Sequence, residues 1–437
     1  MDSGTKTKIG SEDPAKSGQL PSKENSLKAS LSYSFVGQVF YLLSQLGVLS
    51  ALAHFHGPTA VGQFGLALAV TTPLFLLLNM GFRTTQAVDI SEQFTFAQYG
   101  GTRLILTSIA AVASLAAAML FAEQASTFHI VAIVVGAKIF ESISNLAYGT
   151  FQQAGRMDLV AKSFALRGSI TLIAFVSFLM MGADTATALV AQLVVWALVG
   201  LLFDYRRASV LAMGKVVLPK WSLSDSWKLL RHSAPLGGGL LANSLQMTAT
   251  RLMVERFLGL DALGIFTAIG YFQQAGVTAS NSVSNAIVNR LARLNRNGQR
   301  RMMRSIILRL FLIFAAVAAI GVGAAYFYGD VILTILFGQA YRSAAPLLFI
   351  ISMVVSLRMF STLPQSMLFA EQRYKEFMGV QIGLLVLTVA LGLYAIPRHG
   401  IIGAGFVLLA VAVVRFAILE IVFMLMPRKA KPKGDAS

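Results

Sequence analysis

Four cations stand inside apolar stretches of this chain, where a charge is costly: Lys138, Arg251, Arg358 and Arg415. An Arg or Lys at the centre of a bilayer costs roughly 2.5–3.5 kcal/mol on insertion scales, so one that persists there faces a protein interior or an aqueous cavity. Spacing sorts them. Lys138 has Glu141 three residues on and Arg251 has Glu255 four on, so each pair shares a helix face, where an ion pair and a functional cation are both consistent with the spacing. Arg358 has no acid nearby in its segment, and Glu420 lies five residues past Arg415, about 140° round a helix. These two lack a neutralising neighbour, and function is the favoured reading for them. Counted from the starts of their segments, Lys138, Arg358 and Arg415 fall near the same mid-depth, which predicts an electropositive cavity for an anion. Phosphate suits it well, because a guanidinium fork donates to two oxygens at once.

Such residues need a scaffold. Of 437 residues, 56% are hydrophobic and only 13% charged, too apolar for a soluble domain of this length, so the chain reads as an integral membrane protein. Apolar segments of about 20 residues match a hydrocarbon core of roughly 30 Å crossed at about 1.5 Å per residue. Twelve spans are predicted, over 29–53, 61–82, 103–122, 129–152, 164–182, 186–204, 235–257, 262–287, 305–326, 345–369, 378–396 and 401–426. Their apolar runs are continuous rather than alternating, which leaves helices as the spanning solution and makes the fold all-α. No cysteine is present, so disulfides and thiolate metal sites are excluded. His54 and His56 have no acid beside them, no histidine and carboxylate cluster occurs, and no Walker motif is found. Neither a catalytic centre nor a metal or cofactor is expected.

Placing the N-terminus in the cytoplasm and alternating sides at each span sorts the 36 Lys and Arg. Inner connections take Arg83 and Arg103, then Arg156, Lys162 and Arg167, then Arg206, Arg207, Lys215, Lys220, Lys228 and Arg231; outer ones hold Arg342 and Arg398. This is the positive-inside pattern, and it puts both termini in the cytoplasm. The stretch RLARLNRNGQRRMMR, Arg290 to Arg304, has six arginines and no acid, and is expected as a cytoplasmic loop between spans 8 and 9. Its attraction to anionic headgroups is worth about 1 kcal/mol per charge. Without aromatic interleaving or a soluble fold it does not read as a nucleic-acid site.

The chain repeats itself. GPTAVGQFGLALAV from Gly57 and GLDALGIFTAIGYF from Gly259 share an Ala-hydrophobic-Gly element and a following Phe at an offset of 202 residues, and KIFES at Lys138 is matched by RMFST at Arg358. The reading is a disordered tail (1–28), a six-helix lobe (29–210), a basic linker (211–230), a second six-helix lobe (231–428) and a short tail (429–437). Six spans is an even number, so the lobes share one orientation about an axis along the membrane normal, with a cleft between them. Pro73 and Pro364 are expected to interrupt spans 2 and 10, and APLGGG, with Pro235, Gly237, Gly238 and Gly239, is a candidate hinge.

SAPLGGGLLANSLQMTATRLMVERFLGLDALGIFTAIG from Ser233, YFYGDVILTILFGQAY, ILFGQAYRSAAPLLFI and FQQAGRMD resemble the multidrug/oligosaccharidyl-lipid/polysaccharide exporter superfamily, and within it the Wzx-type polysaccharide flippases. The resemblance implies translocation of an undecaprenyl-pyrophosphate-linked oligosaccharide repeat unit across the bacterial inner membrane. A cationic lumen would take the headgroup, and a polysaccharide polymerase and a chain-length regulator would work alongside. It matches Lys138, Arg251, Arg358 and Arg415 to the family's lumen cations. The first span has Gln38, Ser44 and Gln45 but no charge, unlike the basic first helix of lipid II flippases. Glu141, Glu255 and Glu420 are either ion-pair partners or groups coupling transport to a proton or sodium gradient. The alternatives are a drug/cation antiporter of the same superfamily, which an electropositive cavity disfavours, and an integral membrane polymerase or glycosyltransferase, for which no catalytic cluster is found.

Overall fold

The computed structural model describes residues 27–79, 94–121, 124–220, 222–296, 299–370 and 373–424, together with Arg83 and Gln86. Both expected tails fall almost wholly outside these residues. All secondary structure among the described residues is helical, as continuous Leu- and Ala-rich sequence dictates when the backbone must satisfy its own hydrogen bonds. The helices are α1 (Leu27–Asn79), α2 (Phe96–Phe121), α3 (Ala125–Gln153), α4 (Met157–Met180), α5 (Thr185–Leu198), α6 (Arg206–Met213), α7 (Leu223–Arg296), α8 (Arg300–Phe337), α9 (Ala345–Ala370) and α10 (Tyr374–Met424). A π-helical turn, Val199–Tyr205, joins α5 to α6, and a 3₁₀ turn, Gln339–Ala344, joins α8 to α9. Asp184 caps α5 by accepting from the Thr187 amide at 3.0 Å.

Eight elements among the described residues are long and apolar enough to cross a membrane. Two of them, Val36–Asn79 and Lys375–Val422, are 44 and 48 residues long, roughly double the 20 or so that one crossing needs. In α1, α7 and α10 two helices meet at a single non-helical residue: Gly57 (φ 74°, ψ −172°), Gly259 (φ 83°, ψ 179°) and Gly400 (φ 59°, ψ −144°). That backbone region is essentially reserved for glycine. The sequence predicts connections of several residues at these places, and the break is instead one residue wide. Conversely, Pro73 and Pro364 do not interrupt their helices, which continue past them. Neighbouring helices can re-satisfy the backbone groups that an intramembrane proline frees.

The arginine-rich stretch also differs from expectation. It forms the end of α7 and the start of α8, with only residues 297–299 between them. Arg, Leu, Met and Gln are good helix formers, so the stretch extends the helices on either side of it.

α1 packs along α7 through the repeated motif. Gly62 lies against the Leu260 carbonyl and Gly264 against the Pro58 carbonyl, so closely that a Cβ at either glycine would overlap the facing oxygen. Beside them the Thr59 hydroxyl donates to Asp261 Oδ1 at 2.5 Å. The largest apolar core lies along the same contact, with Leu52, Val61 and Leu66 of α1 meeting Leu263, Phe266 and Ile269 of α7 and Leu333 and Phe337 of α8. Outward, the helices expose large apolar side chains, among them Leu120, Ile173, Ile320, Phe327 and Ile335, each more than 65% exposed, the surface a lipid phase would cover.

Candidate functional site

A cavity of about 490 Å³ lies between α1, α3, α5, α7 and α9. Lys138 and Glu141 of α3, Arg251 of α7 and Arg358 of α9 line it, so the two sequence positions paired as KIFES and RMFST reach one chamber. Lys138 Nζ lies 2.8 Å from Glu141 Oε2, the ion pair their spacing allows. The Nε atom of Arg251 is buried and has no hydrogen-bond partner.

Arg358 and Arg415 come together on the α7 side of this chamber. Arg358 donates to Asn243 Oδ1 at 3.3 Å, and Arg415 donates to the same oxygen at 3.0 Å. Arg415, 5% exposed, also donates to Gln365 Oε1 at 2.7 Å, and Gln381 Oε1 accepts from Gln246 at 2.9 Å beside it. The two arginines line a smaller adjoining cavity together with Gln246 and Gln273. Among the described residues neither guanidinium lies within ion-pair distance of a carboxylate. Two cations on one neutral acceptor repel each other, by an amount on the order of a few kcal/mol at an effective dielectric near 20, and neutral amides relieve only part of this. An anion that enters gains what the amides do not supply. The arrangement can therefore bind an oxyanion such as a phosphate or diphosphate by charge-assisted hydrogen bonds.

The remaining sequence-identified residues are placed elsewhere. Glu255 and Glu420 do not line these cavities. The α7 helix runs unbroken through 235–239, and its break falls at Gly259. Gly239 packs under Phe377, whose ring carbon a Cβ would meet at 2.7 Å. Sequence reasoning missed the amides Asn243, Gln246, Gln365 and Gln381, although Asn243 and Gln246, three apart in an apolar span, share a helix face and are a readable signal. It also misplaced two cations. Arg103 and Arg167, assigned to cytoplasmic connections, are 5% and 1% exposed inside α2 and α4. Arg103 donates to Ser142 Oγ at 3.0 Å, Arg167 donates to Ser144 Oγ at 2.5 Å, and Asp204, fully buried in the π-helical turn, interacts electrostatically with Arg167. Charge counting places a cation by distance along the chain, whereas these two are held by partners from other helices.

A family model described as "Polysaccharide biosynthesis protein" matches residues 27–295. The capsular polysaccharide biosynthesis protein CapF of Staphylococcus aureus is 21% identical over 389 residues, covering 86% of this chain and 93% of CapF. Among solved structures, the lipid II flippase MurJ in an inward closed conformation matches with a TM-score of 0.71 at 11% identity, covering 89% of this chain and 86% of the other. The MATE multidrug transporter DinF-BH matches with a TM-score of 0.65 at 14% identity, covering 93% and 97%. At these identities the two structures share the fold, that of a multi-pass membrane protein.

Proposed function

Because the chain belongs to the polysaccharide biosynthesis protein family, we propose that it is a flippase moving an undecaprenyl-pyrophosphate-linked oligosaccharide repeat unit across the bacterial inner membrane, and not an enzyme. The observation that carries this reading is the Arg358 and Arg415 pair, which shares one neutral acceptor and lacks a carboxylate at a cavity wall. A pyrophosphate supplies the missing negative charge. The eight candidate crossings support twelve in all once the two double-length elements are counted twice and both halves of α7 are added. In this reading they form two six-helix lobes, 29–210 and 231–428, with both termini cytoplasmic, and transport proceeds by alternating access. A proton or sodium gradient drives the cycle, and a polymerase and chain-length regulator take up the product.

The test is complementation of a deletion strain with Arg358→Ala and Arg415→Ala at matched membrane abundance, assaying surface polysaccharide and the leaflet in which the lipid-linked repeat unit resides. Each variant is expected to reduce export at least tenfold, with the intermediate accumulating on the inner side. Normal export from both variants, and from the deletion itself, would refute the assignment and favour a general anion or drug transporter. Collapse of both ion gradients is expected to stop export, and unaffected transport would remove the coupling.

A further inference from the structure

A second cavity, of about 210 Å³, lies mainly among α1, α3 and α4, with Thr278 of α7 at its edge, and is lined by Gln38, Asn145, Tyr148, Phe164, Arg167 and Thr278. It shares Tyr41, Leu42 and Glu141 with the large cavity, so the two chambers meet at that wall. No part of the proposed anion site uses it. Its lining differs in chemistry from the Arg358 and Arg415 side in two respects.

The first is aromatic surface. Tyr41 stacks on Phe164 with ring centroids 5.1 Å apart at 25°, and Tyr148 meets the same Phe164 edge-on at 5.1 Å. The second is charge balance. Among its described lining residues Arg167 is the one cation and Glu141, which pairs with Lys138 at 2.8 Å, the one acid, so the wall itself carries one charge of each sign. Arg167 is 1% exposed, holds one terminal nitrogen on Ser144, lies 4.7 Å over the Trp196 ring, and leaves its Nε without a partner. A balanced wall has little surplus attraction for phosphate. It offers instead donors (Arg167, Asn145), acceptors (Glu141, Asn145) and flat apolar faces. That combination suits a ring with hydroxyl groups at its edge and C–H groups on its face.

We propose that this compartment binds an uncharged sugar ring of the lipid-linked glycan, while the C-terminal half holds the pyrophosphate. The volume is below the roughly 300–1,000 Å³ of a typical small-molecule pocket, which fits one ring rather than a whole repeat unit. The proposal rests on the flippase reading, and it adds that the substrate lies across the cavity with headgroup and sugar on different helices.

The test uses purified full-length protein in lipid nanodiscs and two probes: sugar-free undecaprenyl pyrophosphate, and the lipid-linked oligosaccharide extracted from membranes of the deletion strain. Asn145→Ala and Tyr41→Leu are expected to weaken the glycan-bearing probe about tenfold and to leave the sugar-free probe unchanged. Tyr41→Phe, which keeps the stacked ring, should bind both like the parent, and equal melting temperatures confirm that the variants are folded. Arg358→Ala is expected to weaken both probes. If Asn145→Ala and Tyr41→Leu weaken the two probes equally, or neither, the sugar compartment is overturned. If Arg358→Ala leaves sugar-free pyrophosphate binding intact, the parent reading fails on its own.

Discussion

Asn243 Oδ1 accepts from Arg358 and Arg415 at 3.3 and 3.0 Å, so replacing it tests the charge of the site without touching either arginine. Asn243→Asp places a carboxylate between two guanidiniums that otherwise repel. It should raise the melting temperature in detergent and lower affinity for undecaprenyl pyrophosphate at least tenfold, because the anion's place is already filled. Asn243→Leu removes the acceptor and leaves buried donors unmet, at a cost of about 1–3 kcal/mol in stability. Unchanged affinity in Asn243→Asp would show that the pair does not select its ligand by charge. At this scale the sequence was partly legible. Arg358 and Arg415 stand out because no acid lies within a helical turn of either. Their common acceptor, 115 and 172 residues away, is invisible to spacing along one helix.

Helix existence follows from hydropathy, and the breaks follow from something finer. Gly57, Gly259 and Gly400 take a conformation that costs other residues about 1–3 kcal/mol, which predicts that Gly259→Ala lowers stability by that amount. Gly321 and Gly379 make the control: each lies within a helix, with open space where a Cβ would stand and no positive φ. Alanine there should be neutral or stabilising by up to about 1 kcal/mol. Thermal unfolding of the three variants decides it, and equal loss at all three sites would mean that the backbone conformation at Gly259 is not what requires glycine. The sequence marks Gly57 and Gly259 as equivalent through the motif they open, yet it does not tell a one-residue break from a polar loop. His54, Phe55 and His56 look like loop residues, but the helix runs through them to Gly57, and His54 Nδ1 lies 2.9 Å from the Ser50 carbonyl one turn back.

The duplication becomes physical where the two halves touch. Pro58 and Leu260 are related by the 202-residue offset, as are Gly62 and Gly264 and Thr59 and Asp261. Gly62 meets Leu260, Gly264 meets Pro58, and Thr59 bonds to Asp261, a reciprocal contact of the kind that a two-fold axis generates. A comparison of the two sequence segments finds the likeness, and only the fold shows that they face each other, with Phe64 of the cavity wall two residues past Gly62. Ser50 bonding to the Leu336 carbonyl and the Thr185 hydroxyl with His56 Nδ1 at 3.1 Å tie neighbouring elements to α1 beside this contact. Under alternating access the contact must part once per cycle, and glycine serves it by letting two backbones meet with no side chain to disengage. The chain has no cysteine, so Thr59→Cys with Asp261→Cys introduces the only thiols. Bridging them with a short bifunctional thiol reagent should abolish polysaccharide export at least tenfold, and export should return when reductant cleaves a reducible form of the bridge. Each single-cysteine variant treated alike should export normally. Full export from the bridged protein would mean that this contact stays shut throughout transport and that the substrate leaves by another path.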